Sequence, residues 1–226
     1  MRWWMVALAL PGILPTLARA EVSPVVVELF TSQGCSSCPP ADAFLTDLAV
    51  QRQDVLALAF HVTYWNYLGW RDPFSLDAAT ARQREYARFM GEDEIYTPEM
   101  VVDGTTAFVG SNRADGLRAI AHAAPKSIPL SIRTDGRQLA ISVGSGAGQG
   151  RILLVGYDQS HRTTVGRGEN SGQTLVESNI VRSLTPIGSW AGNAMTLSAP
   201  VPDGTTFAAL LQAPNGRIVG AARLTP

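Results

Sequence analysis

Cys35-Ser36-Ser37-Cys38 holds the only two cysteines of this 226-residue chain. A C-x-x-C pair can cycle between dithiol and disulfide: the outer thiolate attacks a partner's sulfur, and the inner one closes the ring three residues later. The pair directly follows the apolar run Val25–Thr31 and precedes Pro39 and Pro40, which fit a first helical turn. A thiolate at such a helix start faces unpaired N–H groups and the positive end of the macrodipole, which predicts for Cys35 a pKa below the free-thiol value of ~8.5. Other uses of the pair fit less well. A structural zinc site wants four Cys or His ligands, and only the scattered His61, His122 and His161 could join two cysteines. A purely stabilising disulfide closing so short a ring restricts the unfolded chain little.

The compartment must permit such chemistry. Arg2, the apolar stretch Trp3–Leu17 and the small-x-small pattern Ala18-Arg19-Ala20 read as a secretory signal peptide over residues 1–20. Interrupted by Pro11 and Pro15, that stretch is short for a membrane span, so no span is expected after cleavage. Removing residues 1–20 leaves 16 basic against 19 acidic residues, a formal balance of −3 that does not suggest nucleic acid or an anionic membrane surface as partner. The expected location is periplasmic or secreted. The composition names no cofactor and leaves the oligomeric state open.

The positioning elements read in order. Val25–Thr31 is apolar on both faces, as in a strand covered by helices on both sides. Ala41–Gln51 carries Phe44, Leu45 and Leu48 on one helical face. Val55–Val62 is a second buried strand, and a helix capped by Ser75 runs to Met90 with Gly91 as its stop. Glu99–Asp103 and Thr106–Val109 around Asp103-Gly104 make a hairpin, and a last helix runs from about Asn112 to Ala123. The sum is β-α-β-α-β-β-α, with Cys35 and His61 on one edge of a parallel strand pair.

Residues 25–123 resemble the thioredoxin fold through Cys35 and Cys38 after the first core strand and through Thr97-Pro98 before the hairpin; Tyr96–Gly104 with Val109-Gly110-Ser111 looks like the glutaredoxin version of that segment. More narrowly, Leu29–Asp42 and His61–Trp70 resemble a family of exported bacterial thioredoxin-like proteins of unassigned function, with Thr63 and Asn66 where acidic residues are expected. The resemblance implies an α/β thioredoxin-like domain over residues 21–124. It also implies a Thr97-Pro98 bend in the cis form beside Cys35, lining a groove for an extended partner chain. Trp65 and its aromatic neighbours could line that groove or cover the fold. Glu28, a carboxylate inside an apolar strand, is read either as a proton acceptor beneath Cys38, as half of an ion pair, or as lying at the strand's exposed end. His61 could tune Cys35, bind a metal, or simply bond to backbone.

From about Ile128 the character changes. Alternating runs at 138–143, 151–157, 174–182, 194–198, 205–212 and 217–224, with Asp135-Gly136, Asp203-Gly204 and Asn215-Gly216 as turns, read as an antiparallel β-sandwich domain over residues 128–226. Residues 159–173 read as a polar loop, either binding or merely solvated. The function expected is an exported oxidoreductase acting on protein thiols and disulfides of the cell envelope through Cys35 and Cys38. A non-catalytic module that holds copper with the two cysteines and His61, or serves assembly, is the alternative.

Overall fold

The computed structural model describes residues 23–224; the expected signal peptide, residues 1–20, lies outside them. The elements are β1 (Val25–Thr31), α1 (Pro39–Gln51), β2 (Val55–His61), α2 (Asp77–Met90), β3 (Glu99–Val102), β4 (Thr106–Val109), α3 (Arg113–Ala121), β5 (Leu130–Asp135), β6 (Gln138–Val143), β7 (Gly150–Thr164), β8 (Thr174–Trp190), β9 (Met195–Pro200), β10 (Thr206–Gln212) and β11 (Ile218–Arg223).

Eight strands form one mixed sheet in the order β11-β10-β7-β8-β2-β1-β3-β4, and β5-β6-β9 form a second, small sheet. This corrects the expectation of a thioredoxin-like β-α-β-α-β-β-α domain followed by a separate sandwich. The reason is the junction between β2 and β8, where Ala59 and Ile180 pair in parallel. Asn179, at φ 51°, turns its side-chain amide to donate to the Ala57 carbonyl at 2.8 Å. β7, β8, β10 and β11 thereby continue the sheet begun by β1 and β2.

Strand pleating divides the core. Leu56, Leu58 and Phe60 of β2, Leu153 and Val155 of β7, and Leu210 of β10 share one apolar cluster with Ala79 and Tyr86 of α2. On the opposite face, Val55, Ala57 and Ala59 pack with Phe44, Leu45 and Leu48 of α1. Farther along that sheet, Ile152, Leu154, Ala209 and Leu211 meet Leu139, Ile141 and Val143 of the small sheet. β7 and β10 are thus apolar on both faces over the same stretch that looked like one side of a sandwich.

Local signals explain the ends. Gly91 closes α2 in the left-handed region (φ 73°), and the Asn112 side chain accepts from the Asp115 amide at the start of α3. Asp103 and Gly104 turn the β3–β4 hairpin at φ 50° and 68°. Ser75 does not cap α2: its hydroxyl donates instead to the Asp72 carbonyl at 2.8 Å, and Leu76 takes the cap position without a side-chain bond. Among the described residues no helix is long and apolar enough to cross a membrane.

Candidate redox site

β1 delivers the chain into a tight turn, in which the Cys35 amide donates to Ser32 O at 3.1 Å and the Cys38 amide to Cys35 O at 3.2 Å. Cys35 and Cys38 are joined as a disulfide with Cα atoms 5.4 Å apart, compatible with a redox role. The helix that follows offers the sulfurs less than its position promises. Pro39 and Pro40 carry no N–H, and the Ala41 and Asp42 amides are spent on Cys38 O at 2.8 and 3.1 Å. The nearby hydroxyl is that of Ser37, 3.4 Å from the Cys35 sulfur.

Thr97, Pro98 and Trp65 come together beside this turn. The Trp65 indole N–H donates to Thr97 Oγ1 at 2.7 Å, and a Cβ on Gly34 would lie 3.3 Å from Trp65 Cβ. The Thr97–Pro98 bond is cis. A Cβ on Gly110 would touch Ala41 of α1 and Pro98 at 3.2 and 3.3 Å, so Pro98 stands against the first turn of the helix that carries Cys38.

Both cysteines are nonetheless 0% exposed, and the second half of the chain bonds to the backbone of their turn. Of the polar segment 159–173, residues up to Thr164 continue β7 and pair with β8, leaving a tip of residues 165–173. Residues 160–164 pair with 174–178 as a two-stranded ribbon, and its tip bonds to the redox turn. Asn170, wholly buried, donates its side-chain amide to Gln33 O at 3.0 Å and Cys35 O at 2.9 Å. The exposed Glu169 carboxylate accepts from the Ser36 amide and hydroxyl at 3.2 and 2.7 Å, and these bonds hold its pKa below the usual range.

Beneath the turn lies a buried polar cluster that sequence reasoning missed except for His61. Gln33 is its hub: its amide N–H donates to Asp72 Oδ2 at 2.8 Å, its side-chain NH2 to Glu177 Oε2 at 2.6 Å, and its side-chain oxygen accepts from Trp70 at 3.1 Å. His61 Nδ1 lies 2.7 Å from Asp72 Oδ2, and its Nε2 lies 3.7 Å from Glu177 Oε1, neither of these last two atoms having a hydrogen-bond partner. Asp42 accepts from Thr31 Oγ1 at 2.7 Å. Burial pushes the imidazole down, but Asp72, Glu177 and Asp42 outweigh it and raise His61 to about 9. Burial, then Glu177, raise Asp42 to about 7, while burial also raises Glu177. Asp72 is held below its ordinary value because His61 and backbone amides outweigh its burial. A signal existed for two of these: Asp42 closes the Cys-Pro-Pro-Ala-Asp run, and Glu177 interrupts an apolar strand.

Glu28 is turned away from this cluster. It forms a buried ion pair with Arg82 through two hydrogen bonds, the one to Oε1 at 2.8 Å, and it accepts from the Tyr86 hydroxyl at 2.7 Å. The structure therefore places Cys35, Cys38, Trp65, Thr97 and Pro98 at one edge, His61 in the carboxylate cluster behind it, and Glu28 with α2. Among the described residues no group of three or more His, Cys, Asp or Glu side chains is arranged to hold a metal ion.

No curated protein matches this chain. A crystal structure of protein AGR_C_4864 from Agrobacterium tumefaciens is similar at 32% identity and a TM-score of 0.78, over 90% of this chain and 95% of that one. HBP35 of Porphyromonas gingivalis shares the fold at 13% identity and a TM-score of 0.61, over 89% of this chain and 74% of the other. The family model described as protein of unknown function (DUF1223) matches residues 26–212. With that match spanning most of its length, the chain belongs to the DUF1223 family.

Proposed function

We propose that this protein is an exported thiol–disulfide oxidoreductase, periplasmic or secreted, that exchanges disulfides with protein thiols through Cys35 and Cys38. The observation that carries the reading is a closed C-x-x-C disulfide at the head of α1, flanked by Trp65, Thr97 and Pro98 and covered by a tip tied down through polar side chains. In the oxidised form, a partner thiolate attacks Cys35, the Cys35–Cys38 bond breaks, and Cys38 leaves as a thiolate that takes up a proton. A second partner thiolate then attacks the mixed disulfide and releases Cys35. The partner gains a disulfide and loses two electrons, and the protein becomes the dithiol.

Burial of both sulfurs adds a requirement: residues 165–173 must lift before a partner chain can reach Cys35. Asn170 and Glu169 bond to two carbonyls and an amide of the redox turn, main-chain groups of the kind an extended chain can also pair with. A partner peptide can replace those bonds in kind, so opening and docking are coupled exchanges.

The test uses Cys38→Ser, which cannot close the ring, incubated with a model protein activated as a mixed disulfide. A stable adduct at Cys35, lost in Cys35→Ser, is the expected result. No adduct, even after Asn170→Ala has loosened the cover, would sink the reading.

A further inference from the structure

This inference rests on the thiol–disulfide reading and assigns the proton that such exchange must move. Cys38 has helical backbone angles (φ −78°, ψ −36°), and the Asp42 amide donates to its carbonyl at 3.1 Å. The two side chains therefore stand one turn apart on one helix face, with Cβ atoms about 5–6 Å apart. Cys38 is 0% exposed and Asp42 7%. Cys38 must lose a proton before it can attack, and α1 offers no free amide to stabilise its thiolate, because Pro39 and Pro40 lack N–H groups and the next two amides are taken. A buried thiol that α1 gives no free amide needs a base within reach, and Glu28 is consumed by Arg82 and Tyr86.

We propose that Asp42 is the proton acceptor of Cys38: Thr31 ties it to β1 beside His61, the register partner of Thr31 in β2, and His61 stands 3.7 Å from Glu177 of β8. From a mixed disulfide at Cys35, the Asp42 carboxylate takes the Cys38 proton. The Cys38 thiolate attacks the Cys35 sulfur, the Cys35–Cys38 bond forms, and the bond to the partner breaks. The partner leaves as a thiolate and recovers a proton from the Asp42 carboxyl or from water. In the opposite direction Asp42 returns its proton to Cys38 as Cys38 leaves.

The groups facing Asp42 are Thr31 of β1, which donates to it, Cys38 on its own helix, His61 of β2, Glu177 of β8, and Asp72 from the segment before α2. His161 of β7 stands opposite Glu177 in the strand register and favours its charged form. Burial first, and the Glu177 charge second, raise Asp42 to about 7, offset in part by His61 and Thr31. A base of that affinity suits proton exchange with a thiol near neutral pH.

The experiment is single-turnover oxidation of the reduced protein by a cysteine peptide linked as a disulfide to a coloured thiol. The first phase reports attack by Cys35, and the second reports peptide release as Cys38 closes the ring. In the wild type the second phase falls on the acid side of about pH 7. Asp42→Asn is expected to slow it ~100-fold at neutral pH, with the loss shrinking as pH approaches the titration of a free thiol at ~8.5. Glu177→Gln removes a like charge, so it is expected to shift the acid limb of the second phase to lower pH without lowering the plateau. An Asp42→Asn second phase at the wild-type rate, a slowing equal at every pH, or a Glu177→Gln limb that stays put or moves up overturns the assignment. Absence of the first phase in the wild type instead overturns the redox reading beneath it.

Discussion

Asn170→Ala should make the disulfide far easier to reduce. The Asn170 side chain is wholly buried and ties the tip to the redox turn through two hydrogen bonds, to Gln33 O and Cys35 O. Each such bond contributes about 1 kcal/mol net, so truncation weakens the closed state by about 2 kcal/mol. At about 1.4 kcal/mol per factor of ten, the open fraction rises about 30-fold. When opening and closing are fast, reduction by a small phosphine proceeds at the open fraction times the rate for an accessible disulfide, so the measured rate should rise by the same factor. Thiols appearing with time are counted by quenching with an alkylating reagent and weighing the product. Denaturant unfolding of the same variant supplies the control. An unchanged rate refutes the cover, as does an acceleration fully accounted for by lost global stability, because sulfurs reached only through global unfolding have no local door.

Arg82→Met leaves Glu28 buried without its cation and should destabilise the fold by about 3–5 kcal/mol in urea titration, with much of the loss recovered in the double variant carrying Glu28→Gln. A loss under about 1 kcal/mol would mean the pair is solvated. A second expectation concerns pH. His61 is raised from 6.5 to about 9, so its contribution is complete below pH 6.5 and drains away as pH climbs through about 9. Unfolding free energy should therefore fall between pH 6.5 and 9, and His61→Gln should flatten that slope. A slope that survives the substitution assigns it elsewhere.

Much of the local structure is written locally. Val25–Thr31 and Val55–Val62 announce buried strands, the second ending one residue earlier at His61, Asp103-Gly104 a tight turn, Gly91 a helix stop, and residues 138–143 a strand at the very bounds observed. What does not show is pairing at a distance. Nothing near Ile180 says that it will lie beside Ala59, since apolar residues on alternate positions suit any neighbouring strand equally. The cluster is opaque for the same reason: the bond from Gln33 to Glu177 spans 144 positions. A carboxylate stranded in an apolar strand marks Glu177 as much as Glu28, and Asp42 stands four residues after Cys38 in the sequence. The polar run 159–173 misled by composition, because a ribbon outside the main sheet needs no apolar face and so reads as loop.

The seam between β2 and β8 has a consequence for how this family can change. Whatever replaces Glu177 or Asn170 alters the surroundings of the cysteines, although more than 130 positions separate them. The first 124 residues cannot be exchanged for a counterpart from another protein, nor the remainder trimmed, without rewriting the electrostatics of the disulfide. A change at one end of this cluster calls for a compensating change at the other, so a substitution harmless beside one far strand is expected to be harmful beside another.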